Sequence, residues 1–249
     1  MKRLFARLLA IAVVFIVPAA VWASDLIDDG SLMGAGAMMT ESPYKGADDD
    51  IYPVPVLIFE SKRFFVDKTV AGYYFNDKSE AFRWAVIGSL RMQGYEADDS
   101  SDLEGMQDRD LAFDGGLRVS WKNEIINMIL EGVTDLSDTH QGQELRLTID
   151  KELFDGFLTP KAGIKWLSND LADYYYGVRP NEVSAGRHEY SAESDLEYMA
   201  GVTIGLPLGK KWAMFADIQC SFLGKEGKDS PIVGDDALMR YVMGVVYRF

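Results

Sequence analysis

The final segment, Ala237 to Phe249, alternates strictly: Met239, Tyr241, Met243, Val245, Tyr247 and Phe249 share one face, and Leu238, Arg240, Val242, Gly244, Val246 and Arg248 share the other. A period of two over this length predicts a strand with one apolar and one polar face. Asp110 to Lys122 repeats the pattern, with Leu111, Phe113, Leu117, Val119 and Trp121 opposite Asp110, Asp114, Arg118, Ser120 and Lys122. So does Ala81 to Gly94, where Phe82, Trp84, Val86, Leu90 and Met92 oppose Arg83, Ser89, Arg91 and Gln93. In Leu196 to Leu206, Tyr198, Ala200, Val202 and Ile204 oppose Glu197 and Thr203. In Trp212 to Phe222 an apolar set opposes Asp217, Gln219 and Ser221. Each segment runs about ten to thirteen residues, the reach of a tilted strand across hydrocarbon, whereas globular strands average about five or six.

Weaker alternation marks Ser31 to Glu41, Ile51 to Glu60, Phe64 to Asp67, Val70 to Asn76, Glu124 to Leu136, Glu144 to Phe154 and Gly156 to Ser168. Together these predict an all-β chain, an antiparallel transmembrane β-barrel of about twelve strands, within a range of about ten to fourteen. Short connections (Ser61-Lys62, Asp77 to Glu80, Lys122 to Glu124, Asp155-Gly156, Gly209 to Lys211) alternate with long ones near Ser42 to Asp50, Ala97 to Arg109, Ser137 to Gln143, Asn169 to Asp195 and Gly224 to Asp236. That asymmetry is typical of a bacterial barrel with its long loops outside. The Asp67 to Thr69 junction is the exception, an unusually short outer connection.

The N-terminus places Lys2, Arg3 and Arg7 before an apolar run from Leu8 to Ala23 that Pro18 interrupts. This predicts a signal peptide over residues 1–23 and a mature barrel over 24–249. The run is shorter than the roughly twenty residues of a spanning helix. Apolar residues are nearly half of the chain, so beyond the leader they must be dispersed along strands. Cys220 is the single cysteine, which excludes an internal disulfide framework. Loss of the three basic leader residues makes the mature chain more acidic than the −14 of the whole, which argues against a nucleic-acid partner. Acidic runs such as Asp48-Asp49-Asp50, Asp98-Asp99 and Asp235-Asp236 fall in the long loops. Hydration of an outer rim explains them, and divalent bridging to lipopolysaccharide stays open beside it.

The stripe assignments turn a set of charges inward. Arg83, Arg91, Asp114, Arg118, Glu144, Arg146, Lys161, Lys165, Asp217 and Arg240 are candidate lumen residues, with Asp150, Glu197 and Arg248. Both signs occur, so a paired plug and a narrow polar passage are both compatible with the pattern. Catalysis and metal binding find little support. The two histidines, His140 and His188, fall in loops, where an isolated histidine reads as a surface residue, and Asp138 with His140 is no catalytic signature. No cofactor, metal or catalytic residue is expected. Tyr174, Tyr175 and Tyr176 crowd the longest loop, either as a clamp over the barrel mouth or as a ligand contact.

Two resemblances extend this reading. The last strand is similar to the terminal strand by which the barrel-assembly machinery recognises bacterial outer-membrane proteins, with Tyr241, Val245, Tyr247 and Phe249 carrying the signal. Glu41-Ser-Pro-Tyr-Lys-Gly46, Pro53-Val-Pro55, Arg63-Phe-Phe65, Leu103-Glu-Gly-Met106, Tyr174-Tyr-Tyr-Gly-Val178 and Asp229-Ser-Pro-Ile-Val233 occur in the order that resembles the MipA/OmpV family. The resemblance implies a non-catalytic barrel in the bacterial outer membrane, set in lipid and lipopolysaccharide. It further implies a scaffold role for a murein lytic transglycosylase and a murein synthase, with a narrow porin-like channel for small hydrophilic solutes as the alternative.

Overall fold

A computed structural model describes residues 31–77 and 79–249. The predicted signal peptide, residues 1–23, and residues 24–30 lie outside the described residues. Twelve strands follow one another: β1 (Leu32–Thr40), β2 (Asp50–Glu60), β3 (Phe64–Asp67), β4 (Val70–Tyr74), β5 (Phe82–Arg91), β6 (Ala112–Lys122), β7 (Asn127–Asp135), β8 (Gln143–Asp150), β9 (Leu158–Leu167), β10 (Asp195–Pro207), β11 (Trp212–Phe222) and β12 (Ala237–Arg248). Each pairs antiparallel with its neighbours in sequence, and β12 returns to β1 to close the barrel, from Leu32 opposite Arg248 to Thr40 opposite Arg240. At that seam small residues are required. A Cβ on Gly34 would stand 2.0 Å from the Val245 carbonyl, and one on Gly36 2.3 Å from that of Met243.

The antiparallel barrel of twelve strands agrees with the sequence pattern, while several strand ends are shorter than the alternation implies. Asn123 explains one of them: its side chain accepts the backbone N–H groups of Ile125 and Ile126, turning the chain before β7 can begin. Phe154 and Asp155 adopt left-handed backbone (φ 53° and 55°) and end the hairpin after β8.

Apolar side chains cover the outer wall, with Leu117 and Met243 about three-fifths exposed. Aromatic residues gather near both rims. Phe75 stacks on Trp84, and Tyr247 meets both Trp212 and Phe249, at the end with the short turns; Phe113, Trp166, Tyr198 and Phe222 lie near the end with the long loops. Two aromatic girdles flanking an apolar band are what a bilayer selects.

One part of the wall is low. β3 and β4 turn back at Lys68 (φ 58°) and Thr69, so β2 meets β3 only over Ile58–Glu60, plus one bond from the Lys68 N–H to the Leu57 carbonyl. Residues 51–56 of β2 are paired in the sheet with β1 alone. Pro53 and Pro55 share the parity of Leu57, so their nitrogens, which carry no hydrogen, face the open side. The sequence thus removes donors where no strand is present to take them.

The long loops fold into a cap with its own core. Tyr44, Tyr95, Leu103, Met106, Leu171, Tyr175, Tyr176, Val178, Leu223 and Ile232 are buried together, drawn from four of the loops. Helix α1 (Asn169–Tyr176) supplies part of it, and a second helix, α2 (Lys225–Asp229), packs beside α1. Ser168 starts α1 as its N-cap, accepting the Leu171 N–H at 3.5 Å and the Gln143 N–H at 2.8 Å, which ties the helix to β8.

Candidate functional site

Alternation within each strand turns the charged stripe away from lipid, and cross-lumen pairs establish where it goes. Arg91 on β5 donates through Nε to Asp114 Oδ2 at 2.8 Å and through Nη1 to Glu144 Oε2 on β8, also at 2.8 Å. Arg83 on β5 reaches Glu60 on β2 at 2.5 Å, and Lys161 on β9 reaches Asp217 on β11. Strands that are not neighbours can pair side chains only across the interior. Arg118 donates to Glu131 at 2.8 Å, Lys165 pairs with Glu197, and Arg146 bridges Glu144 and Glu131. Arg240 donates to Gln219 at 2.8 Å and lies 3.6 Å from Asp217.

The sequence pattern placed these cations inward but overlooked two of their acids. Glu131 sits in Asn127–Asp135, where Met128, Ile129 and Leu130 are consecutive apolar residues and parity cannot be read. Glu60 closes β2 at the edge of a turn. Asp150 accepts a bond from Asn127 at 2.9 Å, whereas Arg248 is exposed at the rim. Aromatic rings also enter the lumen: the Arg83 guanidinium lies 3.4 Å above the Tyr74 ring, and that of Arg118 lies 4.6 Å from the Phe65 ring.

Above this charged layer the three consecutive tyrosines take separate positions. Tyr176 donates to Glu197 at 2.7 Å, joining the cap to the lumen wall. The Tyr175 hydroxyl is 3.4 Å from the Gln93 carbonyl, and the Tyr174 hydroxyl accepts the Asp110 N–H at 2.9 Å while its carbonyl takes the Arg109 Nε. Burial pushes the phenols of Tyr44, Tyr175 and Tyr176 above their ordinary range, and that of Tyr95 up to about 12.

Buried charge fastens the cap from within. Burial alone would raise the Glu182 carboxyl, but it accepts the N–H groups of Arg179 and Gln107 at 2.9 Å each and faces Arg109, so its pKa falls below the ordinary value. Arg187 donates to the carbonyls of Asp102, Glu104 and Glu182 and holds two loops together. Acids in and beside the loops therefore have structural work: Asp195, at the start of β10, accepts the Gly227 N–H at 3.0 Å, and Asp173 accepts that of Ala192 at 2.9 Å.

His140 departs from the surface position expected for a loop histidine. It is buried, with Nε2 2.9 Å from Asp114 Oδ1, and its Nδ1 accepts the Gly142 N–H at 3.0 Å. Asp135, rather than Asp138, accepts the His140 backbone N–H, at 2.6 Å. The ligand atoms of Asp114, Asp135 and His140 lie within 4.8 Å of one another. Each is already engaged by a protein partner, which makes the cluster a latch between a loop and the lumen wall.

The sequence of this capped, charge-filled barrel has recognisable relatives. The family model described as MltA-interacting protein MipA matches residues 33–249. The chain belongs to this family. It is 26% identical over 222 residues to a putative outer membrane protein, YiaT, of Escherichia coli K12, covering 87% of this chain and 90% of that one. It is also 26% identical over 223 residues to the MltA-interacting protein of the same organism, covering 87% and 89%. Outer membrane protein OmpV of Vibrio cholerae is 28% identical over 163 residues, 62% of this chain and 61% of its own. The MipA-family chain is an outer-membrane protein, and its lipid-length strands and twin girdles fit that location.

Proposed function

We propose that this MipA-family barrel is a non-catalytic interaction protein that docks enzymes of murein synthesis and turnover, with its cap outward and its short turns toward the periplasm. The observation that carries the reading is the cap: a buried apolar core across one mouth, anchored to a lumen whose charges pair across the interior. A barrel whose mouth is capped and whose lumen charges are paired is rigid there, so its activity belongs on its surface. A relative spanning nearly the whole chain is named for its interaction with MltA, which supports a lytic transglycosylase as partner. The tyrosines of α1 then serve as a clamp, and the terminal strand with Tyr241, Val245, Tyr247 and Phe249 serves assembly.

The turn end offers a docking face. Ile125 and Phe154 project from two of its turns, 72% and 76% exposed. Phe154 also holds a left-handed backbone that a ring-bearing residue seldom adopts, which favours a role outside folding. Asn tolerates this conformation, so Phe154→Asn removes the ring and leaves the turn. Pull-down of a lytic transglycosylase by the wild-type barrel, weakened by Phe154→Asn with Ile125→Asn, is the expected result. Equal capture by both proteins would overturn this face as the docking site, and no capture by wild type would overturn the partner.

A narrow channel is the second reading, and the charged lumen is what favours it. The cap and the charges paired across the lumen weigh against it, because a continuous path would have to pass one or the other.

A further inference from the structure

We propose that the lumen holds an oxyanion site, reached through the low part of the wall above the β3–β4 hairpin, that takes the phosphate or carboxylate of a solute or of an anionic lipid headgroup. This goes beyond the docking reading and does not depend on it. Three observations converge on one place.

A cavity of about 230 Å³ lies inside the barrel, lined at one side by Thr69 and Val70 of the hairpin tip and by β5 from Ile87 to Arg91. It therefore sits at the hairpin tip, on the β5 side of the gap left where β2 lacks a neighbour on the β3 side and where Pro53 and Pro55 remove two of that edge's donors. Tyr44 packing on Tyr95, and the Ser100 hydroxyl bonded to the Lys45 carbonyl at 2.6 Å, join the two flanking loops above this stretch. The barrel mouth is shut by the cap, but its side is not closed by strand pairing.

The charges around the cavity balance formally, yet they are not equally available. The carboxylates of Asp114, Glu144 and Glu131 are sealed, with side chains 2%, 2% and 11% exposed. The side chains of Arg146 and Arg240 are 42% and 36% exposed, and both residues line the cavity. Arg240 Nε, in addition, has no protein partner. A solute in the cavity meets cationic donors, with the Ser89 and Gln93 side chains as neutral neighbours. Guanidinium forks bind planar and tetrahedral oxyanions through paired N–H groups, which selects phosphate or carboxylate over a neutral or cationic solute.

The experiment uses the full chain refolded in detergent micelles, with folding verified by heat-modifiable migration. Inorganic phosphate and choline are titrated calorimetrically, and retention of phosphatidylglycerol against phosphatidylcholine is read by native mass spectrometry. Saturable binding of phosphate but not choline is expected, weakened about tenfold or more in Arg146→Gln and in Arg240→Gln and unchanged in Lys122→Gln. Preferential retention of phosphatidylglycerol, lost in the same two variants, identifies a lipid headgroup as the source; phosphate binding without it identifies a free anion. Both variants leave every acid a partner: Glu144 keeps Arg91, Glu131 keeps Arg118, and Asp217 keeps Lys161 and Thr203. Absence of both phosphate binding and phosphatidylglycerol preference overturns the proposal. So does binding that both folded arginine variants retain at wild-type strength, or that Lys122→Gln weakens equally.

Discussion

His140 on the β7–β8 loop and Asp114 on β6 are joined by a 2.9 Å hydrogen bond at the boundary between cap and lumen. Because Nδ1 accepts the Gly142 N–H, the proton of the neutral ring belongs on Nε2, directed at Asp114. One side chain thereby satisfies a loop amide and part of a buried carboxylate. His140→Ala leaves both short of a partner and is expected to cost about 1–3 kcal/mol. Denaturant unfolding of the refolded barrel measures the loss, and cleavage within the β7–β8 loop by added protease should rise with it.

The low pKa of Glu182 predicts an acid-sensitive cap. A carboxyl held below its ordinary value in the folded state adds stability that is full above the unfolded pKa, about 4.3, and is lost as pH falls through the folded value. Protection of residues 179–190 from hydrogen exchange, taken relative to the intrinsic rate at each pH, should therefore fall below about pH 4. In Glu182→Gln the same segment should exchange faster at neutral pH and lose much of that acid dependence.

At alkaline pH the tyrosines impose the opposite limit. Tyr95 is pushed up to about 12, with Tyr44, Tyr175 and Tyr176 also raised, so the folded cap prefers neutral phenols. That stability is complete below the ordinary phenol value of about 10 and is lost as pH rises beyond it. Absorbance at the phenolate band should show a late, cooperative fraction of tyrosines that titrates together with loss of the cap. Tyr175→Ala should remove about 3–5 kcal/mol by opening a cavity in the core.

How much of this was legible in the sequence depends on the range of the contacts. Strands such as Trp212–Phe222 declare themselves because period two is a local property, and Arg91, Arg118 and Arg240 acquire their side of the wall from it. Glu131 lacks that signal because apolar residues occupy both parities just before it. Beyond its three consecutive tyrosines the cap was illegible for a different reason: Arg109 meets Glu182, and Tyr44 meets Tyr95, across loops whose alternation carries no information. Pro53 and Pro55 were visible as a motif, but their meaning as an unpaired edge required the short β3–β4 hairpin.

The seam offers a test of closure. Gly34→Val or Gly36→Val forces a side chain into the backbone of β12 and should abolish the compact, heat-modifiable form. Deletion of Phe249 should instead slow assembly in cells and leave the protein degraded or periplasmic. Refolding both in detergent separates them, since only the glycine variants should fail there.

The cap closes the barrel mouth, and planar-bilayer recording of the pure folded protein tests that closure. The structure predicts no discrete conductance steps from wild type, with steps appearing once residues 170–190 are replaced by a short linker that removes the tyrosine clamp. Reproducible single-channel steps from the intact wild-type barrel, with an ion selectivity that Arg118→Glu alters, would contradict it.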